Sequence, residues 1–573
     1  MVWKRLTDGL AEALRALDAW NPEREPRIEL AIPRDPAHGD WTTNLALLLA
    51  RDLRLKPRAL AEELAARFPR DPDLFEPVEV AGPGFLNFRY APAFLAALPD
   101  AIRSADEAFG RHDHARGLRI QVEYVSANPT GPLNVVNARA AAVGATLVRL
   151  LRVTGHDAEG EFFVNDHGNQ VDLLGASVAA RFAERIGVPR ALPDLGYVGS
   201  YIADVAATLP AAEATAALGR GDDAWFRSQA LERMLAWQAR DLSDYGAEFT
   251  RWFRESSLHE RGAVADTFRE LERRGMTYRA VKPEVGAAAG EAGAEAEDAR
   301  EATWLRTSRF DDDKDRVIVR SNGAPTYLLP DIAYHRDKRA RGFRHAIDLW
   351  GPDHHGHILP LEAGLRALGL EPDFLEVLIV QQVNLKSRGQ PVKMSKRAGE
   401  FITLRDLMDE VGADCAKFFF LMRGTNAHLD FDLDLAKQQN DDNPAYYVQY
   451  AHARICSILR YAAERGLAPA SGAAAPWTAP EERALLRMLA TFPEVVRGAA
   501  FTREPQRIPL FLMEAAAEFH RFYHRCRVVG DDPVQSRARL GLVDATRVVV
   551  RNGLALMGVT APERMERPAE AVG

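Results

Sequence analysis

The chain has 573 residues, 47% of them hydrophobic and 27% charged, with a net charge of −8 at neutral pH. These values are typical of a soluble globular protein with several domains, and they exclude a disordered or fibrous chain. The sequence has no run of about 18 uncharged apolar residues, and its charged start lacks the apolar stretch of a signal peptide. We therefore expect a cytoplasmic protein that does not enter a membrane.

Residues 1–115 are predicted to form an N-terminal α+β domain. Leu10, Leu14 and Leu17 recur at helical spacing, and a second helical pattern covers residues 60–68. The segment GPGFLNF, residues 82–88, indicates a glycine turn that enters a strand.

Residues 116–440 are predicted to form an α/β domain of the Rossmann type. An apolar strand at 120–125 is followed by a turn with Gly131 and then by a helix from Asn134, which is how a nucleotide-binding unit begins. A second α/β stretch has predicted strands at 345–350 and 375–383. Between the two lies a mostly helical insertion, about 175–320, in which residues 285–300 have the low complexity of a surface loop.

Residues 441–573 are predicted to form an all-α helical bundle, with an Ala/Pro/Gly break at 468–480. This segment has 17 Arg, no Lys and 15 acidic residues, so it carries +2 within an acidic chain. It therefore permits the locally basic face that a large RNA ligand requires. The three cysteines fit neither a disulfide framework nor a CxxC metal site.

The first motif is VEYVSANPTGPLNVVN, residues 122–137, in which a strand leads through a turn into a helix near Asn134. A helix N-terminus offers free N–H groups and partial positive charge, which suit phosphate. The alternative is an ordinary strand–helix turn in which Asn134 only caps the helix.

The second motif is QPVKMSKRAGEFITLRDLM, residues 390–408. Only ten of the 73 basic residues are Lys, yet three of them lie between Lys386 and Lys396. Lys393 and Lys396, beside Ser395, supply flexible ammonium groups that can follow the charge of a triphosphate as it reacts. The alternative is a solvated basic loop before a helix.

With these two motifs, the chain resembles a class I aminoacyl-tRNA synthetase, and specifically a bacterial arginyl-tRNA synthetase. NPTGPLNVVN stands at the family's HIGH-type motif and KMSKR at its KMSKS motif. Other similar segments cover nearly the whole chain: DPAHGDWTTNLAL, GPGFLNF, VNDHGNQ, PTYLLPDIAYH, WGPDHHGHI, HLDFDLDLAKQQNDDNPAYYVQYAHARI and NGLALMGVTAPERM.

The resemblance implies an N-terminal accessory domain that touches the tRNA elbow, a Rossmann catalytic domain with an insertion, and a helical anticodon-binding domain. It implies a cytoplasmic protein, expected to be a monomer, that takes part in protein biosynthesis with L-arginine, ATP carrying Mg²⁺, and tRNA(Arg). Arginine would form arginyl-adenylate and then pass to the terminal ribose 2′-hydroxyl of the tRNA, and adenylate formation would wait for bound tRNA.

The resemblance also implies roles for particular residues. The expected catalytic residues are Lys393, Lys396, Ser395, Asn134 and Asn137. The expected ATP-binding residues are Pro132, Leu133, Asn134, Val136, Asn137, Lys393, Met394, Ser395 and Lys396. The expected arginine-binding residues are Glu123, Ser126, Asn128, Tyr327, Asp331 and His355. The expected tRNA-binding residues are Tyr446, Tyr447, Gln449, Tyr450 and Arg454, with residues 521–527 as a second RNA face.

Each of these sites has a simpler interpretation. Tyr327 and Asp331 would otherwise be a core tyrosine beside an acid at a helix start, and the tyrosines of residues 446–450 would pack inside a bundle helix. The run DHHGH, residues 353–357, suggests a metal, but it lacks the usual zinc ligand spacing, so we predict no protein metal site and assign it to the substrate wall.

The chain departs from the family at the first motif. The family has two His flanking a Gly, whereas this chain has Asn134, Val136 and Asn137. Asn can donate an amide N–H but cannot carry a positive charge, and Val136 occupies space that glycine leaves open to adenosine. The alternative function is therefore a degenerate paralogue that binds arginine, tRNA or both without activating the amino acid. Another nucleotidyltransferase of the superfamily would not explain the C-terminal bundle.

Overall fold

The structure is a computed structural model that describes residues 2–17, 28–33, 35–284, 301–392, 402–470 and 477–566. The predicted loop at 285–300 and the motif residues Lys393, Met394, Ser395 and Lys396 lie outside the described residues, as do residues 471–476 of the predicted break in the bundle. None of the helices described is long and apolar enough to cross a membrane.

The N-terminal part packs helices against a small antiparallel sheet in the order β1-β3-β2. Its elements are α1 (Val2–Arg15), β1 (Trp41–Thr43), α2 (Leu45–Leu49), α3 (Pro57–Arg67), β2 (Glu79–Ala81), β3 (Phe85–Phe88) and α4 (Pro92–Ala105). The predicted glycine turn is confirmed, because Gly84 has a φ of +144° and is followed at once by β3. A side chain at Gly84 would also meet the backbone of Pro57 at 2.9 Å, so this turn requires glycine.

The central part begins with a strand–helix–strand unit and continues into a helical region. Its first elements are β4 (Arg119–Glu123), α5 (Val135–Val153), β5 (Asp157–Val164), α6 (Asn169–Arg185), α7 (Ser200–Ala207), α8 (Ala211–Arg220), α9 (Asp223–Asp244), β6 (Arg251–Arg254), α10 (Ser256–Glu260), α11 (Ala263–Arg273), β7 (Thr277–Ala280), β8 (Ala302–Leu305) and β9 (Arg316–Val319). Its remaining elements are α12 (Leu328–Ala340), β10 (His345–Trp350), α13 (Ile358–Ala367), β11 (Leu375–Ile379), β12 (Val383–Ser387), β13 (Gln390–Pro391), α14 (Leu404–Val411), α15 (Ala413–Leu421), β14 (Leu429–Asp432) and α16 (Leu433–Ala436).

Five of these strands form one parallel sheet in the order β11-β10-β4-β5-β6. The chain moves outward in one direction from β4 through β5 to β6, and in the other direction from β10 to β11. Neighbouring strands β4 and β10 therefore flank the point at which the topology switches, and open α/β sheets bind ligands there, beyond the carboxyl ends of the strands.

The prediction of one mostly helical insertion at about 175–320 needs correction. Helices α6 to α9 are present, but β6 lies inside the predicted range and belongs to the main parallel sheet. Strands β7, β8 and β9 add an antiparallel sheet. Each of these strands has four residues, which is too short for its alternation to stand out from the helical pattern on either side. The predicted strand 375–383 is likewise two strands, because β12 pairs with β14 in a different sheet.

The C-terminal part is a bundle of four long helices, as predicted: α17 (Pro444–Ala463), α18 (Pro480–Phe501), α19 (Arg507–Arg525) and α20 (Pro533–Leu556). Helix α20 packs against α4 as well as against its own bundle, and Arg103 of α4 forms an ion pair with Asp544 of α20 at 3.0 Å. The N-terminal and C-terminal parts are therefore in direct contact.

Helix α5 is the central support of the molecule. Most of its side chains are buried, and Gly144 lies so close to Tyr124 that an added Cβ would be 2.2 Å from the tyrosine ring. Arg139 is also fully buried, and its guanidinium donates to the carbonyls of Gln381, Gly424 and Ala427 at 2.8–2.9 Å. Burial lowers the pKa of Arg139 to about 10, so it stays charged at neutral pH.

Replacing Arg139 with leucine should destabilise the central domain by about 3 kcal/mol, because three partly buried carbonyls would lose their donor and each unpaired group costs about 1 kcal/mol or more. The midpoint of thermal unfolding, measured by scanning calorimetry, checks this. Arg240→Leu, at an exposed position of α9, is the matched control. Equal midpoints for the two variants would contradict the role assigned to Arg139.

Candidate active site

A cleft of about 750 Å³ opens at the carboxyl ends of β4, β5 and β10, where the sheet topology switches. Eight of the residues predicted to bind substrates line it: Glu123, Ser126, Asn128, Pro132, Asn134, Asn137, Tyr327 and Asp331. Three others, Leu133, Val136 and His355, are not among the described residues that line it. The first motif and the start of α12, almost 200 residues apart in sequence, therefore face the same space.

The chain leaves β4 through a strained turn. Val125 has a φ of +69° and Ser126 a φ of +37°, which are costly for residues with side chains, and most of all for a β-branched one. Ser126 Oγ donates to Glu123 Oε1 at 3.0 Å and accepts from the N–H of Phe163 at 3.1 Å. This turn directs Ser126 and the following Asn128 to the floor of the cleft.

Below the floor lies a buried group of charges that the sequence did not reveal. Lys338 of α12 has no exposed side-chain surface, and its ammonium donates to Glu123 Oε2 and to Asp348 Oδ1, each at 2.8 Å. Asp348 Oδ2 in turn contacts His335 Nε2 at 2.8 Å. These residues belong to β4, α12 and β10, the three elements that meet at the cleft.

The ionisation of this group follows from its geometry. Burial opposes charge on Lys338, but the two carboxylates outweigh burial and raise its pKa. Burial would also raise the pKa of Asp348, but the nearby positive charges, chiefly Lys338, outweigh it. The pKa of Asp348 therefore falls to about 2. Burial raises the pKa of Glu123 even beside Lys338. Because both Glu123 oxygens already accept hydrogen bonds, only their remaining lone pairs can face a substrate amine.

The start of α5 forms a capping box. Asn134 Oδ1 accepts the N–H groups of Val136 and Asn137 at 3.0 and 3.2 Å, and Asn137 Oδ1 accepts the N–H of Asn134 at 3.0 Å. The cap predicted as the simpler interpretation is therefore present, and it uses N–H groups that we expected to be available to phosphate. The amide nitrogens of Asn134 and Asn137 take no part in the box, so both remain as donors beside the cleft.

Leu133 connects the start of α5 to the chain near α14. Leu133 is buried, and its carbonyl accepts the N–H of Leu404 at 2.7 Å. Asn134 also forms an isolated β-bridge with Thr403, which lies in the second motif, seven residues after Lys396. The described C-terminal part of that motif is thus attached directly to the start of α5.

At the opposite wall, Tyr327 precedes α12 and is 79% exposed, so the interpretation of a core tyrosine is wrong. Asp331, in the first turn of α12, accepts from His357 Nε2 at 2.8 Å. His355, the histidine that we predicted to bind arginine, is exposed and is not among the described residues that line the cleft, whereas its neighbours His354 and His357 do line it. The short 3₁₀ turn at Pro352–His357 decides which histidine faces inward, and sequence spacing does not show this.

A further carboxyl group behind the cleft was also missed. Glu255 directly follows β6, and burial, then the nearby Asp331, raise its pKa to about 7. With its amide turned to donate, Asn165 Nδ2 lies 3.1 Å from Glu255 Oε2. An acid at the carboxyl end of a core strand would have been the signal, but β6 itself was not predicted.

The same Glu255 lies near two histidines, His167 and His259, and the ligand atoms of all three lie within 4.8 Å of one another. The two imidazoles are stacked, with ring centroids 4.3 Å apart and an interplanar angle of 17°. Nearly parallel rings do not direct their nitrogen lone pairs at one tetrahedral centre, so this arrangement does not define a zinc site.

In the bundle, the predicted RNA face divides into two kinds of residue. Tyr446 is 7% exposed and stacks on Tyr450, and Gln449 donates to the carbonyl of Thr560 at 3.0 Å, so these residues support the fold. The guanidinium of Arg454 lies 4.6 Å from the ring centroid of Tyr523.

These last two side chains line a groove of about 690 Å³ together with His524, Arg525 and Arg527. The predicted second RNA face, residues 521–527, therefore adjoins Arg454. The remaining tyrosine of the prediction, Tyr447, contacts His520 with ring centroids 5.2 Å apart.

The five-stranded parallel sheet, its switch-point cleft and the capped helix at that cleft define an α/β nucleotide-binding protein with a helical C-terminal domain. Family models match at both ends of the chain: the arginyl tRNA synthetase N-terminal domain at residues 4–90 and the DALR anticodon binding domain at residues 448–565.

Full-length relatives match as well. The chain is 43% identical over 567 residues to an arginine–tRNA ligase of Moorella thermoacetica, covering 98% of each, and 44% identical over 550 residues to one of Heliobacterium modesticaldum, covering 94% of each. It is also similar to a putative arginyl-tRNA synthetase structure from Campylobacter jejuni, with a TM-score of 0.73 and 31% identity over 83% of this chain and 100% of that one. The chain belongs to the arginyl-tRNA synthetase family.

Replacing Lys338 with methionine should destabilise the protein by about 3–5 kcal/mol, because Glu123 and Asp348 would be left as buried charges without their partner. Urea unfolding followed by tryptophan fluorescence checks this. Adding Glu123→Gln and Asp348→Asn to Lys338→Met should recover part of the loss, since the remaining groups are then neutral. A single variant as stable as the wild type would contradict the importance of this charge group.

Proposed function

We propose that the protein joins L-arginine to tRNA(Arg) with ATP, through arginyl-adenylate, and transfers the arginyl group to the terminal ribose 2′-hydroxyl. The observation that carries this proposal is the cleft itself, which is lined by Tyr327 and Asp331 as well as by Asn134 and Asn137. A cation site and a phosphate site then share one space, as the ligation of arginine by ATP requires.

On the amino acid side, we assign Asp331 and Tyr327 to the guanidinium. A planar cation with five donors is matched by a carboxylate and the face of an aromatic ring, and the exposed Tyr327 has its ring available. Asp331 is oriented for this role by His357. Ser126 and Asn128, on the strained turn, are placed to contact the α-amino and carboxylate end, with Glu123 beneath them.

On the nucleotide side, we assign the amide nitrogens of Asn134 and Asn137 to the phosphates of ATP, with Pro132, Leu133 and Val136 contributing main-chain shape. Lys393, Lys396, Ser395 and Met394, outside the described residues, would complete this site, and Mg²⁺ would arrive with ATP. The described flank supports their proximity, because Thr403 pairs with Asn134 only seven residues after Lys396.

The chemistry needs no covalent enzyme intermediate. A carboxylate oxygen of arginine attacks the α-phosphate, the bond to the β-phosphate oxygen breaks, and pyrophosphate leaves. The 2′-hydroxyl oxygen of the tRNA then attacks the adenylate carbonyl, loses its proton, and AMP leaves. Positioning the two reactants and stabilising charge on the phosphates supply most of the acceleration in such reactions.

For the RNA, we propose that the groove beside Arg454 and Tyr523 receives unstacked anticodon bases. Aromatic and guanidinium planes stack on bases that are splayed out of a loop, and the half-buried Tyr523 and Arg454 bring both to this groove. Tyr447 lies two turns before Arg454 on α17 and contacts His520.

The direct test of this function is transfer of radiolabelled arginine to tRNA(Arg), measured as acid-insoluble counts. We expect ATP-dependent charging with arginine and none with citrulline, which is isosteric but neutral. If the protein binds tRNA(Arg) but does not charge it, the result would support the alternative function, a degenerate paralogue that does not activate arginine.

Replacing Asn137 with aspartate should lower kcat for tRNA charging about 100- to 1,000-fold, because one donor to the phosphates is lost and a negative charge replaces it. The fold should persist, since aspartate keeps the oxygen that caps Asn134 and an acid is favourable at a helix start. Asn322→Asp is the matched control, because that exposed asparagine also accepts a backbone N–H. Similar kcat values for the two variants would contradict the assignment of Asn137 to the phosphate site.

The kcat/KM for arginine should rise as the pH rises through about 7, because Glu255 is neutral below its pKa of about 7 and its carboxylate attracts the cationic substrate above it. Glu255→Gln should abolish this rise of kcat/KM with pH, and it should lower kcat/KM at high pH by about 10- to 100-fold. Glu260→Gln, at an exposed position close by, should retain the rise of kcat/KM with pH. If the rise survives in Glu255→Gln, another group is responsible for it.

A further inference from the structure

A second cavity, of about 490 Å³, lies where three parts of the molecule meet. Its walls come from the link that follows α4, from the last turns of α5, and from helices α18 and α20 of the bundle. Helix α5 has 19 residues, which span about 28 Å, so this cavity lies at the opposite end of the helix from Asn134. It is therefore separate from the proposed active site.

Four arginines line this cavity: Arg111, Arg149, Arg152 and Arg551. Arg551 forms an ion pair with Asp106 at 2.6 Å. The other three have no carboxylate within ion-pair distance among the described residues, and their recorded bonds go to the carbonyls of Glu107, Gly246 and Ala158, respectively. Glu107 is the one carboxylate among the described residues that line the cavity, so the three guanidinium groups outnumber the acidic charge there.

Arg149 shows the consequence most clearly. It is partly buried, and burial lowers its pKa, because its positive charge has lost water without gaining an anion at contact distance. A bound anion would supply the missing partner, and arginine binds carboxylates and phosphates through paired, parallel hydrogen bonds.

Apart from Glu107 and Asn552, the rest of the cavity lining is apolar or aromatic. Phe109 and Phe492 line it with their rings nearly parallel, at a centroid distance of 6.1 Å and an interplanar angle of 19°. Val496 and Leu556 complete this apolar surface. Phe109 is the half-buried member of this wall, whereas Phe492, Val496 and Leu556 are already buried, so a flat aromatic body would cover chiefly the ring of Phe109, which a simple inorganic anion would leave in contact with water.

We propose that this junction cavity binds a small organic anion in which a flat aromatic body carries a phosphate or a carboxylate. The volume falls within the range of small-molecule sites, which is about 300–1,000 Å³. Arg152 and Arg149 hold the acid group, and Phe109 and Phe492 cover the ring. This site is independent of the proposed function, because neither ATP nor arginine is needed to fill it.

Isothermal titration calorimetry on the full chain tests the site with 1-naphthyl phosphate and 1-naphthoate as probes. The comparison of these two separates a phosphate ligand from a carboxylate ligand. Inorganic phosphate tests the contribution of the charge alone, and 1-naphthalenemethanol tests the contribution of the ring alone. We expect at least one naphthyl acid to bind at one site per chain, and each half-probe to bind at least tenfold more weakly.

Arg152→Gln should weaken that binding about tenfold, because it removes one charged hydrogen-bond donor. Arg111→Gln is a second variant, which is useful because Arg149 also supports Gly246 and its loss could disturb folding. Arg51→Gln, an exposed arginine of the N-terminal part away from the cavity, should bind as the wild type does. Absence of binding, equal binding of inorganic phosphate, or unchanged affinity in both cavity variants would overturn the proposal.

Discussion

The ammonium of Lys338 between the carboxylates of Glu123 and Asp348 is the interaction on which the cleft depends. It joins β4 to β10 at the switch point of the sheet and attaches α12 to both strands. The strained turn at Ser126, the orientation of Asp331 and the position of Tyr327 all follow from where these three elements end. A buried charge group is costly unless every member is paired, so it tolerates few arrangements of the surrounding strands.

The start of α5 carries side chains that differ from those of the family motif. Asn134 and Asn137 replace the two histidines of the family motif, and their oxygens cap the helix while their amide nitrogens remain at the cleft. One pair of residues therefore serves the fold and the proposed phosphate site together. Val136, which replaces the family's glycine, is not among the described residues that line the cleft, so it takes less of the substrate space than the sequence alone suggested.

Much of the fold follows from local patterns in the sequence, whereas long-range charge pairing does not. Strand β10 was predicted at its observed bounds because an apolar run stands between polar turns, and the Asn134 cap has a clear local signal. Lys338 gave no such signal, because its partner Glu123 lies 215 residues away in the chain. His357 and His355 differ only in which side of a short turn they occupy, and that is settled by tertiary contacts with Asp331.

The most direct measurement of the central claim is arginine-dependent exchange of labelled pyrophosphate into ATP, with tRNA(Arg) present. This reaction reports adenylate formation alone, the step in which the asparagines of α5 replace the family's histidines. The account predicts exchange that requires both arginine and tRNA and that falls to background with citrulline. Exchange no greater than that of a no-enzyme control, from a folded protein that still binds tRNA, would contradict it.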